Sequence, residues 1–136
     1  MSNIEQTLSI IKPDAVERNL IEEIKNEFKS NGFTIKNEKK IKLEKSEAEK
    51  FYQVHQSKPF YNDLCEYLSS GPILVMILEK FNAVMDNRNL MGATDPQKAE
   101  EGTLRKKYGI SIDKNSVHGS DSTDNAKIEI DFFFSN

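Results

Sequence analysis

Apolar positions change their period several times along the chain, and each change marks an element. Thr7-Leu8-Ser9-Ile10-Ile11 is a short β-prone run. It stops at Lys12-Pro13, where proline removes a ladder donor and leaves Lys12 at a strand end. Leu20, Ile21, Ile24 and Phe28 fall on one face of a 3.6-residue period, and Asn31-Gly32 follows as a stop, which predicts a helix. Phe33, Ile35, Ile41 and Leu43 suggest an extended segment broken by Lys36-Asn37-Glu38-Lys39-Lys40, a polar stretch that reads as a solvated edge or turn rather than a binding patch. Ser46-Glu47-Ala48-Glu49 has capping-box spacing and predicts a short helix carrying Phe51, Tyr52 and His55. After Pro59, the spacing of Phe60, Leu64, Tyr67 and Leu68 is helical, and Ser69-Ser70-Gly71-Pro72 ends it before the continuous apolar run Ile73-Leu74-Val75-Met76-Ile77-Leu78, taken as a central strand. Beyond Glu79-Lys80 the pattern is irregular, broken by Asp86, Gly92, Asp95, Pro96, Gly102 and Gly109, and long irregular segments in compact domains often carry function. Val117 leads into His118-Gly119. Ser122 or Thr123 can then cap a last helix through Ala126, Ile130 and Phe133, while the alternation of Ile128, Ile130, Phe132 and Phe134 also permits a strand.

This order accommodates an α/β (α+β) fold of the ferredoxin-like kind, a four-stranded antiparallel sheet covered by helices on one face. The bare sheet face is then the expected place for oligomer burial. With 136 residues, 37% of them apolar, the chain supplies one core, so a single domain over residues 1–136 is expected. Charges of both signs are mixed along the chain and the formal net charge is -3, which gives no reason to expect nucleic acid as a partner. Cys65 is the only cysteine, so there is no internal disulfide and no thiolate cluster for a metal. The first ten residues lack the basic and apolar regions of a leader, and no stretch approaches ~20 apolar residues. A cytoplasmic protein without a membrane segment is the expectation.

Neither GxxxxGK[ST] nor GxGxxG is present, so a backbone phosphate cradle of either usual kind is missing and side chains must bind any nucleotide. Lys12, Arg88 and Arg105 are the candidate phosphate ligands, a compact cation and two planar forks. Taken singly, each is more often ordinary solvated charge. The segment Asn115-Ser116-Val117-His118-Gly119-Ser120-Asp121-Ser122 is sharper, because a neutral imidazole nitrogen can attack phosphorus, carry the adduct and release it. Gly119 is expected to leave room there for anionic oxygens. His55 has no such neighbourhood and reads as an ordinary hydrogen-bonding histidine.

Asn115-Ser116-Val117-His118-Gly119-Ser120-Asp121 resembles the NxxHGSD motif of nucleoside diphosphate kinases. The resemblance runs from Thr7 to Phe134 through Ile11-Lys12-Pro13-Asp14, Tyr52, Lys58-Pro59-Phe60, Ser70-Gly71-Pro72, Arg88, Gly92-Ala93-Thr94-Asp95-Pro96, Gly102-Thr103-Leu104-Arg105 and Glu129. It implies that the γ-phosphate of a nucleoside triphosphate passes to a nucleoside diphosphate by a ping-pong route through a phosphohistidine at His118, with Glu129 holding the far ring nitrogen. By the same resemblance Lys12, Arg88, Arg105 and Thr94 hold phosphates, and Tyr52 and Ser120 lie close to the transferring group and the histidine. Asn115 reaches the sugar and phosphate end, and Phe60 stacks on the base beside an apolar slot at Leu64 and Ile112. Stacking tolerates every base, so a broad base range follows. Mg²⁺ is expected on the nucleotide phosphates, with Asp121 helping from a distance and no direct protein ligand. A homo-oligomer built from dimers is implied, a hexamer ahead of a tetramer.

Three departures stand out from that family pattern. Ala15 replaces a glycine, a change absorbed if the backbone there needs no positive φ. Asn62 puts a carboxamide in the segment lining the base site, from which a pyrimidine bias is expected, and Lys106-Lys107 adds positive charge at the nucleotide entrance. The chain also stops at Asn136, without the C-terminal extension of many eukaryotic members. Two other classes compete. A catalytically idle relative acting as a scaffold is opposed by the intact His118, Glu129, Lys12 and both arginines. A helical histidine phosphotransfer module is opposed by the strand-like run 73–78.

Overall fold

The computed structural model describes residues 4–134 apart from residue 113 and the side chain of Val54. Its strands are β1 (Ile4–Ile11), β2 (Thr34–Ile41), β3 (Ile73–Phe81) and β4 (Val117–Gly119). Its helices are α1 (Pro13–Glu17), α2 (Ile21–Ser30), α3 (Lys45–Phe51), α4 (Tyr61–Leu68), α5 (Ala83–Met91), α6 (Leu104–Tyr108) and α7 (Thr123–Phe134), with a 3-10 turn at Gln53–His55. The sheet order is β2-β3-β1-β4 with every pairing antiparallel, the ferredoxin-like arrangement. The polar stretch 36–40 is strand after all, the exposed edge β2, with an irregularity in register between Ile35 and Asn37. A long run of lysines and glutamates can sit in a strand when that strand is an edge, where it also discourages pairing with other chains.

Both faces of the sheet are covered, which corrects the one-sided arrangement expected from element order. Ile11, Leu74, Met76, Leu78 and Val117 pack with Ala15 of α1, Ile24 and Phe28 of α2, Ala83 and Met91 of α5 and Leu104 of α6. On the opposite face Leu8, Ile10, Ile73 and Val75 pack with Ala48 of α3, Tyr52, Cys65 and Leu68 of α4 and Phe133 of α7. β3 is buried on both sides from Ile73 to Leu78, which explains why its sequence is a continuous apolar run instead of an alternation.

Several boundaries also move. Helix α3 starts at Lys45 after Glu44, and Glu47 Oε1 accepts the Glu44 backbone N–H at 2.9 Å, so the reciprocal cap is set two residues earlier than the serine suggested. Nine residues that looked irregular form α5, and the last segment is helix α7, with Ile128 left exposed. Ala15 is fully buried inside α1 and is not among the positive-φ residues, so its methyl replaces glycine without backbone strain.

Candidate active site

The β1 and β4 strands carry the two ends of the site. Ile10 pairs with His118 and Ile11 with Val117, and the Lys12 N–H donates to the Ser116 carbonyl at 2.8 Å, continuing the ladder one residue further. Lys12 and His118 are thus carried by neighbouring, directly paired strands. Pro13 at the first turn of α1 stops the strand there, with Lys12 as the helix N-cap.

His118 is held by α7. Its Nε2 lies 3.0 Å from Glu129 Oε1, and the Ser120 hydroxyl donates to the same carboxylate oxygen at 2.7 Å. Ser120 is fully buried and its oxygen accepts the Leu8 N–H at 3.3 Å, so its hydroxyl is engaged on Glu129 and the sheet. An ionised carboxylate only accepts, which makes Nε2 the protonated nitrogen and leaves the lone pair on Nδ1. Phe51 at the end of α3 stands edge-on to the imidazole, ring centres 5.2 Å apart, and limits its rotation.

The cationic side is built from the segment that lacked periodicity. Arg88, Thr94 and Arg105 line one cavity of about 380 Å³ with Gly92 and Ala93. Arg88 is exposed in the last turn of α5, and Arg105 is buried in α6. Burial pulls the Arg105 pKa down to about 10, the Tyr52 phenol opposes that shift, and the neighbouring Arg88 adds to it. Its Nη1 donates to the Gly92 carbonyl at 3.0 Å and its Nη2 to the Val117 carbonyl at 2.9 Å, so Arg105 braces the loop against β4. Tyr52 is buried at the C-cap of α3, and its phenol pKa is pushed up by burial first and then by Glu129, with Arg105 opposing the shift. A second cavity, about 560 Å³ beside Ile4, Glu5 and Lys127, holds none of these residues.

Asn115 is a hub of hydrogen bonds. Its Oδ1 accepts Lys12 Nζ at 2.9 Å, while Nδ2 donates to the carbonyls of Thr94 and Ile112, both at 3.1 Å. Phe60, at the N-cap of α4, is 43% exposed with Lys58 Nζ over its ring, and Leu64 lies one turn further on. Ile112 is exposed in the loop that Asn115 ties down.

The neighbours of several further residues differ from what their places in the sequence suggest. A Cβ on Gly119 would meet Asn87 Nδ2 at 2.4 Å and Met91 Cε at 2.7 Å, so the glycine admits α5 against β4 and does not make room for phosphate oxygens. The Asn62 amide donates to Glu66 at 2.8 Å along α4, an exposed helix-surface bond. Lys107 pairs with Glu27 at 2.7 Å and is thereby tied to α2, leaving Lys106 exposed. His55, whose sequence surroundings read as those of an ordinary hydrogen-bonding histidine, lies near this site. Its ring centre is 6.0 Å from that of Tyr52, and its pKa is lowered by burial first and then by Lys58, with Asp121, His118 and Glu129 also in electrostatic reach. It belongs to the rim of this site, and the helical spacing of Phe51, Tyr52 and His55 was the signal available for it.

Known proteins resemble this chain in sequence and in fold. The family model described as nucleoside diphosphate kinase matches residues 5–136. A nucleoside diphosphate kinase of Wolinella succinogenes is 55% identical over 132 residues, covering 97% of this chain and 96% of that protein. One from Nitratiruptor is 56% identical over 131 residues, 96% of each. Among solved structures, the Aquifex aeolicus nucleoside diphosphate kinase superposes with a TM-score of 0.95 at 38% identity, covering 98% of this chain and 96% of that one. A family model over nearly the full length, relatives above half identity and a shared fold lead to one conclusion: this chain belongs to the nucleoside diphosphate kinase family, phosphotransferases acting on nucleotides.

Proposed function

We propose that this chain moves the γ-phosphate of a nucleoside triphosphate to a nucleoside diphosphate through a phosphohistidine at His118. The observation that carries this reading is the Ser120–Glu129–His118 chain, which protonates Nε2 and leaves Nδ1 as the nucleophile. Nδ1 attacks the γ-phosphorus, the P–N bond forms as the bond to the β,γ-bridging oxygen breaks, and the diphosphate leaves with that electron pair. Glu129 offsets the positive charge that grows on the ring. A β-phosphate oxygen of the second diphosphate then attacks the same phosphorus and returns the lone pair to Nδ1. Lys12, Arg88 and Arg105 stabilise the charge spread over the equatorial oxygens. Tyr52 and Thr94 complete the polar lining, and in this structure Ser120 acts on the histidine through Glu129.

The donor set fits a metal carried by the nucleotide. The phosphate side is cationic, lined by Arg88 and Arg105, and Asp121 is an exposed carboxylate beside the histidine loop. Mg²⁺ bound to the phosphates would reduce their repulsion, with Asp121 holding its water shell. The base would lie on exposed Phe60, a stacking contact open to purines and pyrimidines alike. A pyrimidine bias through Asn62 would use the amide oxygen and the N–H not engaged on Glu66, and kcat/KM for dCDP, dTDP, dADP and dGDP in the native protein and in Asn62→Leu tests it. Ratios unmoved by the substitution discard the bias. The assembly we propose is a homo-oligomer of dimers, a hexamer ahead of a tetramer, working in the cytoplasm.

Incubation with ATP and Mg²⁺ without acceptor is expected to give an acid-labile, base-stable phosphoprotein, with ping-pong initial rates. His118→Ala should abolish transfer while nucleotide still binds. Phosphorus NMR should place the adduct on Nδ1; stable incorporation on Ser120, or an adduct on Nε2, would overturn the route.

A further inference from the structure

The residue immediately upstream of the β4 strand is in an unusual conformation. Ser116 is fully buried with φ +76°, and the Val117 N–H donates to the Asn115 carbonyl at 2.9 Å across it. An i to i+2 bond with positive φ at its centre is the rare, strained form of the γ-turn. A residue with a Cβ stays there only where its surroundings over-determine it.

Those surroundings centre on Asp14, a buried carboxylate two residues past Lys12. Asp14 Oδ2 accepts the Ser116 hydroxyl at 2.8 Å and Arg18 Nη2 at 3.0 Å, and Oδ1 accepts the Tyr67 hydroxyl. Tyr67 in turn accepts the Asp14 N–H at 2.9 Å, and Arg18 Nη2 also lies 3.2 Å from Ser116 Oγ. The Tyr108 carbonyl, 3.0 Å from Ser116 Oγ, competes for the one hydroxyl proton, but the carboxylate is both nearer and charged. The backbone side is closed by the Lys12 N–H on the Ser116 carbonyl at 2.8 Å. One residue therefore joins the strand end that carries Lys12 to the strand that carries His118.

We propose that Ser116 is a positioning residue for phosphoryl transfer, its hydroxyl held on Asp14 so that the left-handed turn fixes His118 relative to Lys12. This rests on the reading of His118 as the phosphoryl carrier. The arm upstream of the turn is anchored independently, since Asn115 has three bonds of its own to Lys12, Thr94 and Ile112. Loosening the turn thus acts on the reacting nitrogen more than on nucleotide binding. A displacement of the order of 1 Å at a reacting atom is costly in rate.

The test compares Ser116→Ala with Ser116→Gly. Both remove the hydroxyl, but glycine takes positive φ without penalty whereas alanine keeps the strain and has lost its tether. Phosphoenzyme formation from ATP is followed in single turnovers below the unfolding range of each variant, with steady-state KM and amide hydrogen exchange at Val117. For Ser116→Ala the rate should fall about tenfold or more, with KM within about twofold and the Val117 amide deprotected. For Ser116→Gly the rate should return to within about threefold of native, with protection restored. Equal behaviour of the two variants, both intact or both impaired, overturns the proposal, as does a loss confined to KM or confined to glycine. A native protein that forms no phosphohistidine would instead refute the reading of His118, and the exchange pattern at Val117 would still judge the turn.

Discussion

At the scale of single residues, close packing behind the histidine has a measurable consequence for stability. Gly119 illustrates this: its place beside the histidine suggested room for phosphate, and its real neighbours are Asn87 and Met91 of α5. Gly119→Ala should therefore cost about 1–3 kcal/mol by overpacking, read as a lower urea midpoint at unchanged m-value. His55 makes a pH prediction. Its pKa is lowered from 6.5, first by burial and then by Lys58, so the folded chain takes up that proton less readily than the unfolded one. As pH falls below 6.5 the unfolded chain protonates first, stability drops until the folded pKa is passed, and the penalty is constant below it. Unfolding midpoints measured from pH 7.5 downward should show this loss in the native protein and a smaller one in His55→Gln. Arg105 contributes no such limb, because burial pulls its pKa down only to about 10 and the guanidinium keeps its charge throughout this range.

At the scale of elements, periodicity succeeded wherever one face is purely apolar and failed where a polar residue occupies the core. In α5 the buried positions are Ala83, Val84, Asn87 and Met91, a helical stripe that appears only when an asparagine is counted as core. In α7 the alternation of Ile128, Ile130, Phe132 and Phe134 permitted a strand, yet the helix buries Ala126 and Phe133, seven residues apart, and leaves Ile128 66% exposed. The cap of α3 is set by Glu44 and Glu47, because the chain leaves β2 in an extended conformation that brings Glu44 to the helix start before Ser46 is reached. Glu47→Ala removes the 2.9 Å bond to the Glu44 N–H and should cost about 0.5–2 kcal/mol, measurable by thermal melting and leaving kcat unchanged.

At the scale of the whole molecule, the covering of both sheet faces changes how an assembly can be built. The bare face expected to bury a partner does not exist, which leaves strand edges, helix surfaces and exposed apolar side chains such as Ile4, Phe81 and Ile110 as the surfaces open to a partner. Light scattering at micromolar concentration should give a mass several times 15.6 kDa, and a monomer at every concentration would exclude the proposed assembly. Local sequence by itself determined the end of strand β1 just before Lys12, the doubly buried strand β3, the helix α2 and the histidine motif, because each depends on a pattern of neighbours along the chain or on residue types in a short spacing. The antiparallel four-stranded sheet was also legible, since element order leaves few topologies open. Only the tertiary structure decided which helices lie on which face, that Arg105 and Asn115 brace the loop, and that Ser116 reaches Asp14 across 102 positions of sequence. Those contacts depend on how distant segments pack, and a hydrogen bond between residues so far apart leaves no periodic trace in either segment.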